Sequence, residues 1–438
     1  MLGLYMTDKQ TAQISSAVPR GIAWLLILSA GTLLAQPSSP QDAGAFATGR
    51  YRNLFVEAGH SQAEVAQKVN AAFDQLFHGD PADQAVYFTA GTNASGSLAY
   101  ICDVGNLDVR SEGMSYGMMI AVQLNRKAEF DAIWNWARTY MYHGTPTHPA
   151  YGFFSWSVKT NGMPNDEMPA PDGEQYFAMS LYFAANRWGN GTGIYNYRAE
   201  ADRLLADLRH RALITGATIN GPMTAGALFD PESKLVRFTP VTNHWNHTDP
   251  SYHLPAFYEL WARWGPPGDR KFWAAAAVAS RDFLQRAAHP GTGLTPDYAH
   301  FDGTPWAAPW NTNSANFQFD SWRTAMNWAM DWAWWAKDSR QPQLSDRLQG
   351  FFAGQGMTNY ANQFTLAGRP LSTDHSPGLV AINAVASLAA TQPRVREFVE
   401  ALWNTPVPTG RWRYYDGLLQ MLALLHCSGE FRIWSPPS

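Results

Sequence analysis

Asp108-Val109-Arg110-Ser111-Glu112-Gly113-Met114-Ser115-Tyr116-Gly117-Met118-Met119 is the stretch in which an irregular loop becomes an apolar helix. Met114, Met118 and Met119 begin an apolar face at helical spacing, and Val122 and Leu124 continue it. Glu112 stands at the junction, while Gly113 and Gly117 leave space for a ligand or a neighbouring backbone. A carboxylate on a helix mouth beside Met and Tyr is desolvated, which raises its pKa as a general acid requires. The plainer reading is a first-turn acid favoured by the helix dipole. The stretch alone leaves both open.

Outward from this stretch the same loop-into-helix unit recurs. Upstream, Ser61 and Glu64 form a capping box, Val65, Val69, Ala72, Phe73 and Leu76 make an apolar face, and Gly79 closes the helix. Helical periodicity predicts further segments at about 112–125, 127–142, 173–188, 195–212, 250–264, 268–288, 319–337, 341–354, 377–391, 393–404 and 414–426. With the first, that makes twelve helices, joined alternately by short turns and long loops. The runs 325–336 and 379–390 are apolar nearly all round, as helices of a covered inner ring would be. The expected fold is therefore all-α: six helical hairpins closed as an (α/α)6 barrel, with short β insertions near 85–102 and 226–238 at the cleft end. A two-domain helical protein is the structural alternative. The Pro- and Gly-rich loops are too short and too evenly spaced to be linkers, so 50–438 reads as one domain.

Hydrophobic residues make up 46% of the 438 residues and charged residues only 16%, which excludes a disordered chain. A net charge of -4 offers no basic stripe, so nucleic acid is not an expected partner. The 19 Trp, 18 Tyr and 23 Phe can fill a large core and can also line a cleft that stacks on sugar rings. Lys9 and Arg20 precede an apolar run over 21–35 that Gln36-Pro37-Ser38-Ser39-Pro40 breaks. This reads as a signal peptide over 1–35 and a linker over 36–49. The run is too short for a stable membrane anchor, so the mature protein is expected to be periplasmic or secreted. Cys102 and Cys427 are either one clamp between the ends of the domain or two isolated buried thiols.

Each long loop places polar or acidic groups at the mouth of an even-numbered helix. The six patches are Glu112, Asp172 with Glu174, Asp249 to His253, Gln318 to Arg323, Asp374 with His375, and Arg413 to Asp416. In a helical barrel the inner helices start at one end, so these patches would converge on one cleft. Asp172, Asp249 and Asp374 each have the ordinary explanation of an N-cap. Capping does not explain Phe317-Gln318-Phe319-Asp320, where a carboxylate follows an apolar run, or Arg323 one turn on. His244, His247 and His253 lack a helical i, i+4 pair, and no metal or other cofactor is expected.

Ser111-Glu112-Gly113 with Tyr116-Gly117-Met118, then Pro171-Asp172-Gly173-Glu174, then Phe319-Asp320-Ser321-Trp322-Arg323, resembles glycoside hydrolase family 8. The likeness runs from about residue 48 to 434 and is greatest to the branch of reducing-end xylose-releasing exo-oligoxylanases. It implies an (α/α)6 barrel that inverts β-1,4-xylooligosaccharides, acts as a monomer and needs no cofactor. Position by position, it implies Glu112 as general acid and Asp320 as general base, with Asp172 holding the sugar distorted. It further implies Tyr252 beside the attacking water, Arg323 supporting the base, and Trp156, Tyr116, Tyr414 and Tyr415 in substrate binding, three of them (Trp156, Tyr414, Tyr415) as aromatic platforms. The loop Leu371-Ser372-Thr373-Asp374-His375-Ser376 resembles the version that blocks the cleft beyond the first leaving-group sugar, with His375 on the reducing-end sugar.

An inverting glycosidase needs a protonated carboxyl and an ionised one roughly 6.5–9.5 Å apart. Glu112 is therefore expected to have a raised pKa and Asp320, next to Arg323, to stay ionised. The rival readings are an endo-acting β-1,4-glucanase, xylanase or chitosanase of the same family, a non-catalytic sugar-binding subunit, and a polysaccharide lyase.

Overall fold

Twelve helices of nine or more residues follow one another among the described residues, 43–437, of the computed structural model. The expected signal peptide lies outside them. In order the helices are α1 Gln62–His78, α2 Ser111–Gln123, α3 Lys127–Tyr140, α4 Pro171–Trp188, α5 Tyr197–His210, α6 Pro255–Trp264, α7 Arg270–Ala287, α8 Phe319–Trp335, α9 Arg340–Gln355, α10 Pro377–Val385, α11 Val395–Asn404 and α12 Arg413–Cys427.

The even-numbered helices pack on one another. α2 touches α4 and α12, α12 touches α10, α10 touches α8, and α8 touches α6. Between α4 and α6, Gln175 donates to the Tyr252 carbonyl at 2.9 Å and accepts from the Tyr258 hydroxyl at 2.6 Å. Each odd-numbered helix covers an even one: α1 on α12, α3 on α2, α5 on α4, α7 on α6, α9 on α8 and α11 on α10. The burial follows from the sequence: every residue of α2 except Glu112 is buried. The outer α5, by contrast, buries only Tyr197, Ala201, Leu204, Leu205 and Leu208, a single stripe. The result is an all-α helical barrel whose ring of inner helices carries the motifs. A Cβ on Gly173 would lie 2.5 Å from Ser111 Oγ, so only glycine lets the mouths of α2 and α4 approach this closely.

Short antiparallel strands decorate the loops. β1 Tyr87–Asn93 pairs with β2 Gly96–Ile101, and β3 Asp108–Arg110, β4 Ser157–Lys159 and β5 Pro164–Asp166 form a three-stranded sheet. The Ser111 N–H donates to the Trp156 carbonyl at 3.0 Å, extending that sheet to the mouth of α2. β6 Ile214–Thr218 pairs with β7 Gly221–Ala225, and β8 His247–Thr248 pairs with β9 Ala299–His300, joining the loops before α6 and α8.

Several expected boundaries move. The segment 226–238 holds only a single bridge, Phe229 to Val236, and the regular strands precede it. The helix expected from 250 begins at Pro255, because a residue before proline is driven out of the helical region and Leu254 is at φ -120°, ψ 63°; Pro250–Tyr252 forms one 3-10 turn instead. The end of the expected linker, Ala45–Thr48, is a helical turn, and Phe46 stacks on Trp335 with ring centroids 4.4 Å apart. Cys102 and Cys427 are both buried and free, so the clamp is not formed. Among the described residues no helix is long and apolar enough to cross a membrane.

Candidate active site

Glu112, Asp172 and Asp320 are each the second residue of their helix, in α2, α4 and α8. That position sets a carboxylate against the unpaired N–H groups and positive end of the helix, which favours its ionised form, while burial opposes it. The three meet on one guanidinium. Arg323, one turn into α8 and 2% exposed, donates from Nη1 to Glu112 Oε2 and to Asp172 Oδ2, both at 2.6 Å. Its Nη2 lies 3.1 Å from Asp320 Oδ1, donates to Ser251 Oγ at 3.0 Å and comes within 4.0 Å of Asp249 Oδ2. Since both nitrogens belong to one rigid fork, Glu112 Oε2 and Asp320 Oδ1 are no more than about 8 Å apart, which accommodates the separation of an inverting pair.

Arg323, with Arg110 farther off, faces four carboxyls, Glu112, Asp172, Asp249 and Asp320, so burial and mutual repulsion favour proton uptake within the cluster. Burial pushes Glu112 up to about 7; Arg323 opposes the shift, and Asp172 and Asp320 add to it. This is the direction expected of a general acid. Asp320, expected to stay ionised beside Arg323, feels two opposed influences. Desolvation raises its pKa despite Arg323, because that guanidinium is shared with Glu112 and Asp172 instead of being reserved for the base. Asp249 caps the Ser251 N–H through Oδ1 at 2.7 Å and leaves Oδ2 buried without a partner. Burial, and then the Asp320 charge, raise its pKa well above the carboxylate range.

The remaining expected residues divide. Tyr116 accepts from Arg323 Nη1 at 3.2 Å and meets Tyr176 edge-on. Tyr252 is buried, stacked on Phe238, and lies near enough to Asp172, Asp249 and Asp320 for their charges to raise its pKa. Trp156 is half-buried, with the Arg110 guanidinium 5.7 Å from its ring centroid. Tyr414 is no open platform: it is 2% exposed, its ring fills the space left by Gly113, and its hydroxyl donates to Glu112 Oε1 at 2.9 Å. The space at Gly113 and Gly117 is thus taken by side chains, Tyr414 and Ile101. Tyr415 donates to the Phe319 carbonyl at 2.8 Å. His375 is exposed, and its Nδ1 bonds the Tyr360 carbonyl at 2.8 Å. Asp374 is an exposed loop residue and does not cap α10, whose N-cap is Ser376.

His253 is bonded at both nitrogens, to Thr248 and Ser280. His143, His148 and Glu167 bring ligand atoms within 4.8 Å of one another. The two imidazoles, however, are stacked with planes 5° apart, and lone pairs lying in parallel planes do not converge on one ion. Sequence reasoning placed Glu174 and Ser251 in the cleft patches without a role, gave Arg110 none, and missed Asp297. Glu174, fully buried, accepts the Phe154 N–H at 2.8 Å and so fixes the loop that carries Trp156. For Asp297 a signal was present: a carboxylate set among Leu294, Tyr298 and Ala299, as Asp320 is set after Phe317 and Phe319.

The family model for glycosyl hydrolases family 8 matches residues 102–429. A family 8 enzyme from Teredinibacter turnerae, solved as a xylobiose complex, is 58% identical with a TM-score of 0.89, covering 90% of this chain and 100% of that one. A catalytic-mutant xylanase from the same organism, in complex with xylohexaose, is 57% identical with a TM-score of 0.89 and the same coverage. The reducing-end xylose-releasing exo-oligoxylanase Rex8A of Paenibacillus barcinonensis is 42% identical over 393 residues, 89% of this chain and 98% of that protein. A family match across most of the described domain, with relatives of this identity over nearly their whole length, makes the chain a member of glycosyl hydrolase family 8.

Proposed function

We propose that this chain is an inverting glycosidase that releases xylose from the reducing end of β-1,4-xylooligosaccharides, working in the cleft of an (α/α)6 barrel. The observation that carries the reading is the joining of Glu112, with a pKa of about 7, to Asp320 through the single guanidinium of Arg323. Glu112 gives its proton to the leaving oxygen while Asp320 takes one from a water that attacks the anomeric carbon from the other face. Asp172 Oδ1, buried and without a partner, is free to accept a hydroxyl of the sugar being cleaved. Tyr252, set among the carboxyls, lies beside the attacking water.

His375 supports reducing-end action. With Nδ1–H committed to Tyr360, Nε2 is left as an acceptor for a sugar hydroxyl. The signal-like segment over 1–35 makes the mature enzyme periplasmic or secreted, and one chain supplies every group the reaction uses, so a monomer suffices.

A second reading, a xylanase cutting within longer chains, is favoured by the 57% identity to the xylanase solved with xylohexaose. Xylohexaose labelled at its reducing end separates the two, with Glu112→Ala as control. Reducing-end release sends the early label into free xylose; internal cleavage sends it into xylobiose and longer products.

A further inference from the structure

The loop between α7 and α8 carries a buried carboxyl, Asp297, that touches neither Arg323 nor the cleft groups directly but holds the turn from which Asp320 projects. Asp297 is 3% exposed. Its Oδ1 accepts the backbone N–H of Ser321 at 3.0 Å, and its Oδ2 lies 2.6 Å from Gln318 Nε2. Gln318 and Ser321 flank Phe319 and Asp320, so one side chain grips the first turn of α8 on both sides of the base. The same turn is held from α12, where the Tyr415 hydroxyl donates to the Phe319 carbonyl at 2.8 Å. Behind it, the Asp297 N–H donates to the Asn316 carbonyl at 3.0 Å, and Phe317 and Phe364 exchange backbone bonds at 2.9 Å. Asp320 is thus the 35%-exposed tip of a turn whose neighbours are fixed on three sides.

Stability alone is a poor reason for a carboxyl here. It is fully desolvated, and Asp320 and Asp249 both disfavour its ionised form. The turn already closes on itself, since Ser321 Oγ donates to the Gln318 carbonyl at 2.6 Å and accepts the Gln318 N–H at 2.8 Å. What Asp297 adds is a fixed distance between the α7–α8 loop and the base.

We propose that Asp297 is the positioning residue of the general base, clamping the Gln318–Ser321 turn so that the Asp320 carboxylate meets the attacking water. This rests on Asp320 being the base. A displacement of order 1 Å at a reacting group costs about 100-fold in rate. Asp297→Asn keeps the shape but turns an NH2 group toward one of the two donors, so it should lower kcat about 10- to 100-fold.

The test uses two substrates, xylotriose and an aryl xylobioside with a good leaving group. A leaving group that departs unprotonated bypasses the acid but still requires the base. Asp297→Asn should therefore be as damaged on the aryl xylobioside as on xylotriose, like Asp320→Ala and unlike Glu112→Ala. In a Glu112→Ala background, adding Asp297→Asn should leave the Kd for xylotriose unchanged within about twofold, because the clamp acts on the base and not on binding. The milder Asp297→Ser, which removes the grip without adding a donor pair, should show the same kcat-only loss. Wild-type kcat in both Asp297→Asn and Asp297→Ser, with an inactive Asp320→Ala, would overturn the clamp alone. Full activity of Asp320→Ala on the aryl substrate would overturn the base assignment. A Kd that rises in step with the loss of kcat would mean a structural role and would also overturn the clamp.

Discussion

Replacing Tyr414 by Phe removes one hydroxyl and leaves the ring that fills the space at Gly113. That hydroxyl donates to Glu112 Oε1 at 2.9 Å. A hydrogen bond to a charged acceptor contributes about 1.5–3 kcal/mol, against about 0.5–1.5 kcal/mol to a neutral one. The bond therefore favours ionised Glu112 over protonated Glu112 by about 1 kcal/mol, equivalent to roughly 0.7 of a pH unit. Glu112 must be protonated to act, so activity is present below its pKa of about 7 and lost as pH rises through it. Without the Tyr414 hydroxyl, Glu112 holds its proton longer, and the alkaline limb of kcat/KM should move up toward roughly pH 8. The assay is kcat/KM on xylotriose from pH 5 to 9.5 for wild type and Tyr414→Phe, with thermal melts to show that both are folded. A limb that stays in place, or moves to lower pH, would refute the assignment of Glu112 as the titrating acid held by Tyr414.

Three further outcomes are expected. Glu112→Ala should lose about 100- to 10,000-fold in kcat on xylotriose, and much less on the aryl xylobioside, as initial rates on both will show. Arg281→Met should lower Tm through a loss of about 3–5 kcal/mol, because Arg281 is paired to Asp331 at 2.7 Å and Glu259 at 2.9 Å and its removal strands a buried carboxylate. The pair lies away from the Arg323 cluster, so the kcat/KM of the folded variant at low temperature should match wild type. Two free thiols should titrate in the unfolded, unreduced protein, and reductant should leave the native Tm unchanged, since Cys102 and Cys427 are buried and unpaired.

The helical repeat was legible because each inner helix is apolar nearly all round and each outer one carries a stripe, and both patterns are local. The placement of the candidate acids was legible for the same reason: Glu112, Asp172 and Asp320 sit at the same place in a helix, two residues into it, after loops rich in polar groups. What local pattern could not carry was partnership. Arg323 looks from its neighbours like a support for Asp320, three residues away, yet its shortest bonds reach Glu112 and Asp172 on other helices. Tyr414 and Tyr415 read alike as platforms, and only the packing of α12 against α2 and α8 turns one toward Glu112 and the other toward Phe319. Asp297 lies in a loop without periodicity, and although its apolar setting marked it as buried, only the fold brought Ser321 of the α8 mouth to it. The shortened α6 was the reverse case, since Pro255 stood in the sequence and already set the boundary by a local rule.

The measurement that bears most directly on the account is an NMR time course of xylotriose carrying carbon-13 at its reducing-end anomeric position. The reaction should be followed from the first minutes, before mutarotation equalises the anomers. The account predicts label appearing in free xylose together with unlabelled xylobiose whose new reducing end is first seen as the α anomer, and turnover at least about 100-fold slower by Glu112→Ala. First-formed β-xylobiose would contradict the pairing of Glu112 and Asp320 as an inverting acid and base, and label retained in xylobiose would contradict cleavage at the reducing end.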